Sequence, residues 1–189
     1  MTTPHPATAP VALNPATPAI FGIVGGALGI IGFFLPWETY SASGAQGVAP
    51  HTVTYSLWDV TNHALTGASL PGTAPTGQPT NTAPYLGLLL ALPAVLALVA
   101  LVALVAGGVG VIHGLGPVLA SLIGAAGLMG MINGGSALLT PSLMILSLTV
   151  GPSSTSSPAA FGLLVLQVGF VVILVGGIMA VAQARRAGA

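Results

Sequence analysis

The chain has 189 residues, of which 54% are hydrophobic and 2% are Asp, Glu, Lys or Arg, with a formal net charge of +0 at pH 7. A soluble surface is usually about one quarter charged, so water is excluded as its main solvent, and the absence of a basic surface makes nucleic acid an improbable partner. There are no cysteines, which excludes disulfides, thiolate catalysis, cysteine-linked haem and cysteine-based zinc sites.

Residues 1–18 are rich in Pro, Ala and Thr, with prolines at 4, 6, 10, 15 and 18. They lack a periodic apolar face and read as a flexible tail. The first predicted transmembrane helix covers 19–36 and closes at Pro36-Trp37-Glu38. Roughly 17–20 residues at about 1.5 Å each span the hydrocarbon of a bilayer, so this segment is close to the minimum. Trp37 and Tyr40 fall where an interfacial aromatic belt belongs. A cleaved signal peptide competes for the same stretch, but the preceding tail has no positive region and the apolar run is long.

Residues 37–84 form a long polar connection. Its middle, from Thr52 to Val60, is β-prone and partly alternating, which predicts a short strand or hairpin. Prolines at 71, 75, 79 and 84 make its end irregular. The second helix is predicted over 85–112, with no ionisable side chain between Leu86 and Ala106 and a kink at Pro93.

A short glycine-containing connection leads to the third predicted helix, 117–150, with a break near 133–135 at Asn133-Gly134-Gly135 and an apolar extension beyond it. A five-span alternative requires a tight turn at that break. Residues 151–160 read as a loop, 161–182 as the fourth helix and 183–189 as a tail. Arg185 and Arg186, just beyond the last apolar run, place that end in the cytoplasm; with four spans the N-terminus joins it, and loops 37–84 and 151–160 face outward. The fold class is therefore an all-α membrane protein, a four-helix transmembrane bundle with a small outer loop region that contains some β-structure, in the plasma (cytoplasmic) membrane.

Lipid gives helices no hydrophobic contrast, so association depends on close backbone approach at small residues. Gly22/Gly26 and Gly25/Gly29 form small-xxx-small pairs in the first helix, and Gly32 continues the pattern. Gly162, Gly169 and Gly176 recur every seven residues in the last, which places them on one face. Gly124, Gly127 and Gly130 supply a similar groove in the third. The alanines at 91, 94, 97, 100, 103 and 106 drift by about 60° per step on a helix of 3.6 residues per turn, so that stripe is expected to wrap around the second helix.

Chemistry is sparse. No Asp, Glu, Lys or Arg lies in a predicted helix core, which argues against proton- or ion-coupled transport. Gln167 and Asn133 are the buried polar candidates, most simply explained by interhelical hydrogen bonds. His113 reads as an ordinary interfacial histidine. Glu38, His51, Asp59 and His63 are suitable in kind for zinc, but their spacing fits no compact metal motif. No catalytic or phosphate-binding motif is present, and the sequence identifies no cofactor.

A tryptophan directly after the first helix (Trp37), a long first outer loop and a later Ser56-Leu57-Trp58 give the layout a resemblance to the claudin and peripheral-myelin-protein type of four-span protein. Short inner ends and a short second outer loop extend the likeness. The resemblance implies a small sheet above a left-handed four-helix bundle, lateral association, and Trp37, Leu57 and Trp58 as anchors of the loop on the bundle rim. The paired loop cysteines of that family are missing here. The last helix also resembles the glycine-rich end of many small bacterial tetraspan proteins.

These features lead to an expected non-enzymatic membrane scaffold or accessory subunit. Its expected partners are the lipid bilayer and other membrane-protein subunits or a second copy of itself. The alternatives are a small-solute or lipid transporter gated at Pro93 and Asn133-Gly134-Gly135, and a subunit of an energy-transducing or pigment-protein complex in which His113 approaches a cofactor.

Overall fold

The structure, a computed structural model, describes residues 14, 16–42, 51–66, 83–139, 154–157 and 161–187. In chain order these form α1 (Thr17–Phe34), β1 (Pro36–Ala42), β2 (His51–Ser56), α2 (Leu57–Thr66), α3 (Ala83–His113), α4 (Pro117–Leu139), β3 (Ser154–Ser157) and α5 (Phe161–Ala187).

Local chemistry sets the helix ends. The Asn14 side chain accepts a hydrogen bond from the Ala16 N–H at 3.0 Å, and Pro18 stands in the first turn of α1, where a missing donor is harmless. At the other end Pro36 forces the residue before it out of the helical region: Leu35 has φ −76 and ψ 156, and α1 stops. The α3–α4 turn occupies three residues, 114–116. Gly114 takes φ +85, the left-handed conformation that closes a helix C-terminus, and Pro117 opens α4. Leu115, between them, lies against Gly110 and joins the apolar core.

Four long helices pack in a closed ring. α1 touches α3 and α5, α4 touches the same two, and the diagonal pairs scarcely meet. Three of these helices are long and apolar enough to cross a membrane, over Thr17–Phe34, Ala94–His113 and Phe161–Arg186, and a shorter apolar stretch covers Pro117–Asn133 in α4. The chain is thus an integral membrane protein of multi-span helical type. The core runs along the ring axis through Leu96, Ile123, Leu163, Leu166, Phe170 and Ile173, while residues such as Leu98, Val105, Leu128 and Val168 point outward. Such exposure is the normal condition of a lipid-facing surface.

The structure departs from the sequence reading at three places. First, α4 continues unbroken through Asn133-Gly134-Gly135. The Asn133 Nδ2 donates to the Met129 carbonyl one turn back at 2.8 Å, and glycine in a membrane helix lacks the competing water that unwinds it elsewhere. The apolar extension expected beyond this point lies, from residue 140, outside the described residues. Second, the β-prone run from Thr52 to Val60 is divided: the strand ends at Ser56 and a helix begins at Leu57.

Third, the loop 151–160 contributes a strand, Ser154–Ser157, that pairs antiparallel with β1 from Thr39↔Ser157 to Ala42↔Ser154. A Ser/Thr run has no apolar alternation to advertise a strand, and the open edge of β1 supplies the partner. The alanine stripe of α3 drifts around the helix as expected: Ala94 is exposed, Ala97 is half-buried, and the next three alanines face inward. Ala100, Ala103 and Ala106 are buried, since the two steps of about 60° between them stay within the wide face that α3 turns to its neighbours.

Candidate functional site

The three strands form one sheet in the order β2-β1-β3. β1 follows α1, β2 precedes α2, and β3 lies between α4 and α5, so the central strand joins the two connections that emerge at this end of the bundle. The register of β1 against β2 slips between Pro36 and Glu38. Trp37 occupies that irregularity, and a bulge of this kind re-aims a side chain. Trp37 is 3% exposed and belongs to the bundle core with Phe33 and Leu163. Its indole N–H has no hydrogen-bond partner among the described residues.

At the end of β2 a reciprocal cap starts α2. The Ser56 N–H donates to the Asp59 carboxylate at 2.8 Å, the Ser56 hydroxyl donates to the same Oδ2 at 2.7 Å, and the Asp59 N–H donates back to Ser56 Oγ at 3.1 Å. This capping box satisfies donors that a helix start leaves open. Its sequence signal is the Ser-x-x-Asp spacing from Ser56 to Asp59, masked by β-prone residues on either side. Leu57, 1% exposed, then enters the core, and α2 lies against α3 and the end of α1.

Trp58, 46% exposed, packs on the rim instead of entering it. Its ring centroid is 6.4 Å from that of Phe33 and 5.6 Å from that of Phe34. Trp37, Leu57 and Trp58 thus meet the bundle in two ways: two as buried plugs and one as a half-exposed aromatic surface.

The glycines picked out from the sequence sort onto particular seams. In α1, Gly22, Gly26 and Gly29 meet α3, where a Cβ on Gly26 would lie 2.7 Å from the Ala100 carbonyl oxygen. Gly25 instead meets α5. On α5, Gly162, Gly169 and Gly176 all face α1: their Cβ positions would lie 2.6 Å from Leu35 O, 2.7 Å from Gly25 O and 2.7 Å from Phe21 Cβ. Gly127 and Gly130 of α4 meet Leu174 and Phe170 of α5, and Gly124 meets Gly177. Gly32, Gly107 and Gly177 make equally close approaches. Gly32 continues the first-helix pattern, whereas Gly107 and Gly177 have no such signal, because a close approach depends on the neighbouring helix as much as on spacing within one. These glycine faces are occupied within a single chain.

The remaining candidates do not converge. Gln167 is part-buried; its Nε2 donates to Met131 Sδ at 3.2 Å, while its Oε1 is buried without a partner among the described residues. Asn133 bonds within its own helix. His113, Arg185 and Arg186 are exposed at the end of the bundle opposite the sheet. Asp59 is committed to the α2 cap, and the side chains of Glu38, His51 and His63 lie outside the described residues. No group of three or more metal-ligating side chains occurs among the described residues. The charges are segregated: Glu38 and Asp59 belong to the sheet end, and both arginines to the other.

Compared with known proteins, the chain matches no family model, no curated protein and no solved structure.

Proposed function

We propose that the chain is a four-span, non-enzymatic scaffold or accessory subunit of a membrane assembly, with both termini in the cytoplasm and the sheet with α2 as an outer docking platform. The observation that carries this reading is the platform itself. Segments from two separate connections are tied into one sheet and plugged into the bundle by Trp37 and Leu57, with the Trp58 ring left half-exposed. Ordering such a structure costs conformational entropy, and a rigid surface bearing an exposed aromatic suits recognition of a protein partner.

The layout agrees in outline with the one implied by the claudin-type resemblance, a small sheet above a four-helix ring. Because the glycine seams are filled within one chain, association with other subunits or with a second copy uses the platform and the outward apolar faces. The transporter reading draws less support. Its supposed gates, Pro93 and Asn133-Gly134-Gly135, lie inside continuous helices, and the buried core is apolar.

The test is purification of the tagged full chain in mild detergent with identification of everything retained at fixed stoichiometry. The expected result is a membrane or extracytoplasmic protein that is lost from the Trp58→Ala variant while the bundle stays folded. A chain that purifies without any stoichiometric protein and conducts a solute across liposomes would overturn the proposal. Single cysteines introduced at Thr66 and Ala184, in a chain with none of its own, report the orientation through labelling from opposite sides.

A further inference from the structure

A groove of about 580 Å³ opens between α4 and α5 at the end of the bundle opposite the sheet. It is lined by Gly124 and Gly177, where the two helices touch, by apolar side chains such as Leu128 and Val181, and by Arg185 and Arg186. Its size falls within the roughly 300–1,000 Å³ of small-molecule sites. Leu128, Ile178 and Val181 are exposed, so the groove faces the hydrocarbon along its length and presents guanidinium groups only at its end.

The two arginines are all of the chain's Lys and Arg, and its two carboxylate side chains, Glu38 and Asp59, belong to the far end of the bundle. A guanidinium stays charged and seeks a planar or phosphate oxygen partner. The helix dipole favours cations at the C-terminus of α5, but it does not account for an apolar trough leading away from them. An incoming helix would cover the trough and leave the arginines without a counter-charge. A soluble anion would do the reverse.

We propose that this groove binds one anionic phospholipid, with an acyl chain along Leu128 and Val181 and its phosphate held by Arg185 and Arg186. This needs the helices to be embedded in lipid and does not depend on the scaffold reading.

The full chain, stripped of lipid in mild detergent, is titrated with phosphatidylglycerol or phosphatidylcholine of identical acyl chains, and bound lipid is counted by native mass spectrometry. One phosphatidylglycerol should be retained with a preference on the order of ten-fold over phosphatidylcholine, from two cationic groups at the interface. The double variant Arg185→Gln/Arg186→Gln, altered only at exposed positions, should lose that preference. Ala182→Phe, which fills the groove from an exposed position, should lose binding of both lipids, and a melting curve confirms that each variant is folded. Equal retention of the two lipids, an unchanged preference in the double variant, unchanged binding in a folded Ala182→Phe, or displacement by soluble glycerol phosphate at equal concentration would each overturn the proposal.

Discussion

Gly25 of α1 and Gly169 of α5 stand opposite one another with no room for a side chain on either: a Cβ on Gly25 would lie 2.6 Å from the Gly169 carbonyl oxygen, and one on Gly169 would lie 2.7 Å from that of Gly25. The obstacle in each case is backbone, which cannot swing aside as a long side chain can. Gly169→Ala should therefore destabilise the bundle by about 1–3 kcal/mol, the usual cost of overpacking, and Gly169→Leu should prevent the α1–α5 seam from closing. Gly108→Ala, a helical position where nothing lies within 4 Å of the added carbon, should stabilise the helix by up to about 1 kcal/mol. Detergent-titrated unfolding of the three variants measures the contrast, and equal stabilities for Gly169→Ala and Gly108→Ala would remove the argument for a backbone contact.

The α4–α5 seam is closed differently. Phe170 is 0% exposed, and its ring fills the space left beside Gly130. Here the neighbour is a side chain, so the effect of Gly130→Ala should be partly relieved when Phe170 is shortened to Leu. A double-mutant cycle should return a favourable coupling of about 0.5–3 kcal/mol. Strict additivity of the two single changes would mean that the residues do not compete for one space.

Ser56 and Asp59 form a closed hydrogen-bonded loop, so either one alone should account for most of the cap. Ser56→Ala and Asp59→Ala should each cost about 1 kcal/mol, and the double variant should cost little more than the worse single. Faster amide exchange across Leu57–Thr66, with helices α1 and α5 unchanged, is the expected signature. Protection of α2 equal to that of the parent chain would show that packing on α3, and not the cap, holds the helix.

Gln167 offers an amide to a thioether and leaves its carbonyl oxygen without a partner among the described residues. A buried acceptor in this condition is costly, and Gln167→Leu should stabilise the bundle by about 1 kcal/mol if the role is structural only. Thermal unfolding in micelles reads the change. A loss of stability greater than that of Gln167→Met would indicate a hydrogen bond that the side chain makes in the membrane and would reopen a role for this residue in binding.

Hydrophobic runs free of charge announced the membrane helices directly, since a peptide group in hydrocarbon is satisfied by its own helix and needs no distant partner. The seven-residue spacing of Gly162, Gly169 and Gly176 likewise announced a face, because position on a helix follows from the chain's own periodicity. What that face would meet was beyond the reach of such reasoning: its partner is α1, whose paired glycines are divided between α3 and α5 according to the ring order of the helices. The third strand of the sheet carries no such signal, for a similar reason. Ser154–Ser157 has no intrinsic signature of a strand and becomes one through the unpaired edge of β1, more than a hundred positions earlier in the chain. Asn133-Gly134-Gly135 looked like a break on local propensity, yet in a lipid environment the helix has no better state to adopt there. Local sequence determines structure where a segment satisfies its own backbone, and assembly decides it where donors, acceptors or small surfaces await another segment.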